Sequence, residues 1–299
     1  MLHEYALEPA LLSSWERFRY LTERFGVSQG RLISRYPRRW KALVYTVLEA
    51  CSEIDRKRVE ERLSRLDDRM MTRIHDWDAA RDWLSNAETE HATRPFHAIV
   101  AGANPRGNEA ILLADDLDEE TPRWHVSRAI VVPRQAVDLA NALSPLLRVA
   151  RVIVLIDPHF DPYRERARAT LAEFLARARL RENGIPIERV EFHTRFDENN
   201  AGFDVECRRR LPRRIPAGIQ VRFVRWRERA GGEGLHNRYV LTERGGVSLA
   251  WGLDEGAPAQ TDDLSLLEEG LYRARWEQYC GANPAFDLAA EISIEGALQ

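Results

Sequence analysis

One short segment holds a histidine, an arginine and two carboxylates at spacings that could support catalysis. Arg238 lies two residues after His236, and Glu243 follows five residues later. Asp254 comes eleven residues after Glu243. An imidazole can act as a nucleophile when a partner fixes its tautomer, and Glu243 or Asp254 could be that partner. The planar fork of Arg238 suits two oxygens of an anion such as phosphate, so these four side chains are the candidate catalytic residues.

The residues around these positions are strand formers. Tyr239–Leu241 and Val247–Ala250 are separated by Gly245 and Gly246, which predicts two adjacent strands joined by a tight turn. Side chains two residues apart on a strand face the same side. His236 and Arg238 are therefore expected to point into one space.

This spacing resembles the phospholipase D superfamily motif, His-x-Lys-x4-Asp-x6-Gly-Ser-x-x-Asn. Arg238 stands for the lysine, Glu243 for the aspartate, Ala250-Trp251 for Gly-Ser and Asp254 for the asparagine. A closer resemblance is to the phospholipase D-like domain at the C-terminus of MIT-domain proteins. Its His-Asp-Arg and Gly-Leu-Asp segments correspond to His236-Asn237-Arg238 and Gly252-Leu253-Asp254. The resemblance covers about residues 128–299 and implies a phospholipase D fold.

The same resemblance implies roles and an assembly. His236 would attack phosphorus and form a phosphohistidine, while Arg238 would hold the non-bridging oxygens. Enzymes of the family pair two motifs across a two-fold axis, and this chain carries one good motif. A catalytic form is therefore expected to be a homodimer in which two chains meet at His236.

Strands and helices alternate between residues 128 and 299, which predicts a mixed sheet covered by helices. Apolar runs predict strands at 151–156, 189–193 and 219–224, ahead of the two motif strands. Ligands of open α/β sheets sit beyond the carboxyl ends of the strands. The polar residues at those ends are candidate substrate-binding residues: Asp157, His159, His193, Arg195 and Trp226. A metal site formed by Asp157, His159 and His193 is an alternative for three of them.

Nine arginines lie between Arg208 and Arg229, a segment with Glu228 as its single acid and here called the arginine strip. Such a strip is the electrostatic footprint of a polyphosphate ligand, which makes Arg225 and Arg227 candidate ligand contacts. Trp226 between them could stack on a base. A solvated basic surface is the simpler alternative.

The first 127 residues carry no catalytic spacing. Helical periodicity in residues 1–92 predicts an all-helical domain of about four helices, whose aromatic side chains form a core or a groove for a protein partner. Residues 93–127 contain two apolar runs separated by Gly102–Asn108, which predicts a β-hairpin connector.

Composition narrows the class of protein. The chain has 299 residues, a net charge of −3 and three widely spaced cysteines, a pattern of reduced thiols rather than of a disulfide framework. No secretory signal and no apolar run long enough for a membrane span are recognisable. We expect a cytoplasmic protein that needs no metal ion or other cofactor.

Two functions stay open at this point. The first is a metal-independent phosphodiesterase, a nuclease that cleaves nucleic acid through His236. The second is a catalytically inactive phospholipase D-fold module that binds nucleic acid or anionic lipid and mediates protein interaction. The frequent occurrence of the family with bacterial defence systems favours nucleic acid and an antiviral role, by analogy alone.

Overall fold

The computed structural model describes residues 1–181 and 186–298. The chain divides into two compact units, with the boundary between Arg128 and Ala129. This boundary lies one residue from the start predicted for the C-terminal domain. Nothing in the described residues forms a helix long and apolar enough to cross a membrane.

The first unit is built on a parallel sheet of five strands in the order β3-β2-β1-β4-β5. The strands are β1 (His3–Leu7), β2 (Arg31–Ser34), β3 (Met70–Met71), β4 (Ala98–Ala101) and β5 (Ile111–Leu113). The helices are α1 (Trp15–Thr22), α2 (Trp40–Leu48), α3 (Glu53–Ser64) and α4 (Trp83–Thr93). A core centred on Tyr5, Phe18 and Trp40 joins the sheet to the helices.

Two predictions for this unit are wrong. Residues 1–92 are not all-helical, because three short strands, one before α1 and two between helices, enter the sheet. Residues 93–127 are not a hairpin connector: β4 and β5 pair in parallel, with Ile99 opposite Ile111, and belong to the same sheet. These strands have five residues or fewer and are almost wholly buried, so they show no apolar–polar alternation to separate them from buried helix.

The second unit contains a mixed sheet of eight strands, which confirms the prediction of an α/β unit. Its order is β13-β9-β8-β7-β10-β11-β12-β6. The strands are β6 (Ala129–Pro133), β7 (Val152–Ile156), β8 (Arg189–Arg195), β9 (Gln220–Arg227), β10 (Arg238–Thr242), β11 (Gly245–Leu249), β12 (Thr261–Leu266) and β13 (Asp287–Glu295). The helices are α5 (Ala136–Val149), α6 (Glu165–Arg179), α7 (Phe203–Arg210) and α8 (Glu269–Cys280).

Strand direction brings the polar residues to one edge of this sheet. Strands β7, β8 and β9 are parallel, so their carboxyl ends coincide. Strand β10 runs antiparallel to β7, with Tyr239 opposite Ile156, so the start of β10 meets the end of β7. Strand β11 returns antiparallel to β10, with Leu249 opposite Arg238, and ends at the same edge. We call this edge the site edge. It includes the loops that follow β7, β8, β9 and β11, and the segment that precedes β10.

Candidate functional site

Arg238, the first residue of β10, has a guanidinium group that makes no hydrogen bond or ion pair with residues 1–181 or 186–298, although its charge opposes the rise in the pKa of Asp157. Its Nε atom is buried and makes no hydrogen bond, and no carboxylate of the described chain forms an ion pair with it. Other arginines in the two units also have an unbonded, buried Nε, but each of them has another polar or ionic contact. A half-buried cation left in this state is a ready site for an anion.

Two exposed imidazoles flank the end of β7 and the start of β10. His236 lies three residues before Tyr239 and His159 three residues after Ile156, and these two strand residues are paired. Partial burial lowers the pKa of His159; Arg238, Arg195 and His236 lower it further, against the opposing effect of Asp157. The surroundings of His159 are therefore electropositive and favour its neutral ring.

Asp157 ties two loops of the site edge together. One carboxylate oxygen, Oδ1, accepts a hydrogen bond from the backbone N–H of His159 at 2.9 Å, and Oδ2 accepts one from Leu253 at 2.8 Å. The side chain is 5% exposed, and burial raises the pKa of its carboxyl group. The predicted binding residue Asp157 is thus committed to holding the loop after β7 against the loop after β11.

Neither predicted carboxylate partner makes a hydrogen bond with the ring of His236. Asp254 lies at the site edge but forms ion pairs with Arg134 and with Arg166, the latter at 2.8 Å. Glu243 follows the far end of β10 and accepts hydrogen bonds at 2.9 Å from the backbone N–H groups of Arg151 and Val152. Glu243 therefore lies at the opposite edge of the sheet, where its carboxylate binds the backbone N–H groups at the start of β7.

Replacing Glu243 with alanine should lower stability without touching the site. The change removes the acceptor of two backbone hydrogen bonds, which corresponds to about 1–3 kcal/mol of unfolding free energy. The melting temperature should fall by at least ~2 °C, while Glu198→Ala, at an exposed surface ion pair, should change it little. A loss of phosphodiester cleavage at a temperature where Glu243→Ala is fully folded would show that Glu243 has a role in catalysis after all.

Arg195 and Glu228 form the neighbouring part of the site edge. Arg195 donates to the carboxylate of Glu228 at 2.8 Å and to the carbonyl oxygen of Leu235 at 2.9 Å. Glu228 also accepts a hydrogen bond from the N–H of Leu235, which is the largest cause of its lowered pKa, and the charges of Arg195 and His236 contribute. Glu228 was not predicted as a site residue, yet His236 is one of the groups that lower the pKa of its carboxylate.

His193 and Trp226 are buried and do not reach the site surface. The Nε2 atom of His193 lies 2.9 Å from the carboxylate of Glu191, and the Nε1–H of Trp226 donates to Nδ1 at 3.0 Å. His193 is 1% exposed and Trp226 is 6% exposed. Trp226 is therefore not positioned to stack on a base, and both ring nitrogens of His193 are engaged within the core.

The buried pair predicts that the protein loses stability in acid. Burial lowers the pKa of His193, which favours its neutral ring; burial opposes the charge of Glu191, yet hydrogen bonds from His193 and Arg222 lower its pKa to about 2. Both groups have a lower pKa in the folded protein than in the unfolded chain, so the pair stabilises the fold at pH values above the unfolded-state pKa values. This stabilisation falls as the pH drops, first below about 6.5 because of His193, and then from about 4.5 towards 2 because of Glu191.

We expect the melting temperature to drop between pH 7.5 and pH 5. In His193→Gln the drop should be smaller by about 2–4 °C, the shift that ~1 kcal/mol produces in a unit of this size. The exposed His125→Gln should keep the wild-type drop. An identical drop in wild type and His193→Gln would contradict this assignment.

The arginine strip is largely neutralised by carboxylates. Arg225 is buried, lies 2.9 Å from Asp204 and packs over Phe203, and Arg227 lies 3.1 Å from Glu198. Among the residues that the structure describes, seven of the nine arginines form ion pairs: Arg209, Arg210, Arg214, Arg222, Arg225, Arg227 and Arg229. The strip is thus not a continuous surface of free positive charge, and Arg238 is the arginine of the site edge that forms no ion pair with any described residue.

Comparison with known proteins found no match: no family model, no curated protein and no solved structure corresponds to this chain. Within residues 1–181 and 186–298, no cluster of three or more histidine, cysteine or acidic side chains is arranged to hold a metal ion. Two residues of the alternative metal site, His159 and His193, differ in exposure: His159 lies on the surface and His193 lies in the core.

The structure brings several unpredicted residues to the site edge, among them Arg134, Arg166 and Trp251. Arg134 follows β6, a strand that was not among those predicted, although Ala129–Pro133 is an apolar run. Trp251 lies at the position that corresponds to Gly-Ser in the motif that the sequence resembles, and the structure places it in the loop after β11.

Proposed function

We propose that the second unit is a metal-independent phosphodiesterase whose substrate is nucleic acid. The observation that carries this proposal is the guanidinium group of Arg238, which has no hydrogen-bond or ion-pair partner among the described residues and lies at the sheet edge that also carries the exposed rings of His236 and His159. A phosphodiester anion would supply the missing acceptor for Arg238 and would place phosphorus beside an imidazole. The strand register, with Arg238 next to the end of β7, supports the same grouping.

Each side chain then has a chemical role. A ring nitrogen of His236 forms a bond to phosphorus while the P–O bond to the leaving oxygen breaks, and Arg238 holds the non-bridging oxygens. His159 donates a proton to the leaving oxygen; the bound anion favours the protonated ring that this step requires. Water then cleaves the N–P bond and releases a phosphomonoester, and the proton of that water returns to His159.

Cleavage of bis(p-nitrophenyl) phosphate and of an end-labelled oligonucleotide in the presence of EDTA tests the proposal. We expect turnover that EDTA does not inhibit, together with an acid-labile, alkali-stable phosphoryl group on the protein after rapid quenching with labelled substrate. The same label should be missing in His236→Gln. The absence of turnover over pH 5–9, or a label retained in His236→Gln, would exclude this mechanism.

A non-catalytic module that binds phosphodiesters is the second candidate. One observation favours it: in the part of the chain that the structure describes, no side chain hydrogen-bonds the ring of His236 and fixes its tautomer. This module would bind oligonucleotide through Arg238 with an affinity that falls with salt and is indifferent to His236→Ala. Binding without turnover, lost in Arg238→Ala and kept in His236→Ala, would select it.

A further inference from the structure

Trp251 is the exposed tryptophan of this protein. Its side chain is 63% exposed, whereas the other seven tryptophans are buried or half-buried. An exposed indole leaves a large apolar surface in water, a cost that binding surfaces commonly accept. The ring lies in the loop that follows β11, which ends at the site edge.

The backbone beneath the ring is held in place. The N–H groups of Ala250 and Trp251 donate to one carboxylate oxygen of Asp262, at 3.0 and 3.1 Å, and Asp262 is 1% exposed. The N–H of Leu253 donates to Asp157, as described above. A Cβ atom at Gly252 would lie 3.1 Å from the Asp157 carboxylate, so the loop packs closely here. The backbone that carries Trp251 is therefore held in place, and we call its exposed indole the platform.

The platform lies beside the phosphate site. Leu249 of β11 is opposite Arg238 of β10; Trp251 is two residues past this pair, and His236 is two residues before it. Adjacent strands lie about 4.8 Å apart, so this register places Trp251 at the same edge of the sheet as His236 and Arg238. One nucleotide carries a phosphate and an aromatic base on a single sugar, which fits a cation and an indole side by side.

The surroundings of the ring distinguish among ligands. The guanidinium carbon of Arg134 lies 5.8 Å from the ring centroid. Arg134 forms an ion pair with Asp254, which also forms an ion pair with Arg166. Charged neighbours disfavour an acyl chain or an apolar protein segment, which would have to desolvate them. A nucleobase presents an apolar face to the indole and polar edges to these charges. A duplex does not offer such a face, because its bases are stacked on one another.

We infer that Trp251 stacks on an unpaired base of single-stranded nucleic acid whose neighbouring phosphate is held by Arg238. This inference rests on the proposed function, because it assigns the substrate class of the same site. It also explains why the position that holds Gly-Ser in the resembling motif holds a large aromatic residue here.

Binding of two oligonucleotides of equal charge tests the inference, with His236→Ala as the background that prevents turnover. One is an octamer of deoxythymidine and the other an octamer of abasic tetrahydrofuran residues. We expect the thymidine octamer to bind at least about tenfold more tightly, equivalent to ~1.4 kcal/mol and within the range for one stacked base. Trp251→Ala should bring the ratio to about one, while Trp251→Phe should keep most of it. Leu271→Ala, a change of another exposed apolar side chain, should leave it unchanged.

Intrinsic fluorescence gives a second readout that does not depend on the alanine variant. Thymidine octamer should quench part of the emission, and Trp251→Phe should lose that part. A ratio near one in the parent protein, a ratio unaffected by Trp251→Ala, or a blue shift of Trp251 emission with phosphatidylglycerol vesicles in place of the octamer would overturn the inference. Cleavage of bis(p-nitrophenyl) phosphate that depends on His236 would then still stand; conversely, absent cleavage with an intact ratio would remove only the phosphodiesterase.

Discussion

His236→Ala should lower kcat for phosphodiester cleavage on the order of 10³-fold or more, because it removes the group that forms the covalent bond. The affinity for the thymidine octamer should change little, since Arg238 and Trp251 remain in place. His159→Ala should also lower kcat, but the loss should be small for p-nitrophenyl esters, whose leaving group needs no proton. The measurement is steady-state kinetics on p-nitrophenyl and oligonucleotide substrates.

Mixing the two variants determines whether the site lies within one chain or between two. If His236 and His159 of the same chain act together, a mixture of His236→Ala and His159→Ala should remain as slow as its components. If the site forms across a dimer axis, as the resemblance to two-motif enzymes suggests, the mixture should recover activity in the hybrid. Size-exclusion chromatography with light scattering under the same conditions identifies the oligomer that is active.

Arg238→Ala should reduce kcat/KM by about 10²–10³-fold, the cost of removing one preorganised donor from a developing phosphorane. Octamer binding should weaken in parallel, and the slope of log affinity against log salt should decrease by about one phosphate contact. Arg238→Lys should recover part of the rate, because the charge returns without the two-pronged geometry.

Arg213→Ala is the matched control for Arg238→Ala. Arg213 is exposed in the arginine strip and forms no ion pair with residues 1–181 or 186–298, and it precedes β9, whose start lies at the edge opposite the site edge. It should leave kcat/KM within about twofold of the wild type. Equal losses in the two variants would mean that general positive charge, rather than Arg238, attracts the substrate.

The sequence predicted the centre of the second unit well. The continuous apolar run before Asp157 marks β7. The turn between β10 and β11 is Glu243-Arg244, however, and the two glycines predicted for it, Gly245 and Gly246, are the first residues of β11. Strand ends then gave the correct edge for His236, Arg238 and His159. The partner of β10 was not readable: it is β7 and not β9, because pairing depends on the path of the whole sheet.

Side-chain exposure was the other property that the sequence did not reveal. Trp226 and Trp251 both lie near polar, charged neighbours in the sequence, but the first faces the core beside His193 and the second faces solvent. Glu243 follows His236 by seven residues, and a five-residue strand between them carries it to the far edge. In the first unit, parallel strands of two to five residues were hidden among longer helical patterns.

The double attachment of Asp157 has a kinetic consequence. The loop carrying His159 and the loop carrying Trp251 cannot swing apart without exposing a buried carboxylate that has lost its donors. Substrate should therefore meet a preformed surface, and association should show a single phase whose rate rises linearly with oligonucleotide concentration and depends on ionic strength. In Asp157→Asn, which keeps one acceptor and weakens the tie, a slower second phase should emerge as the two loops settle after the encounter.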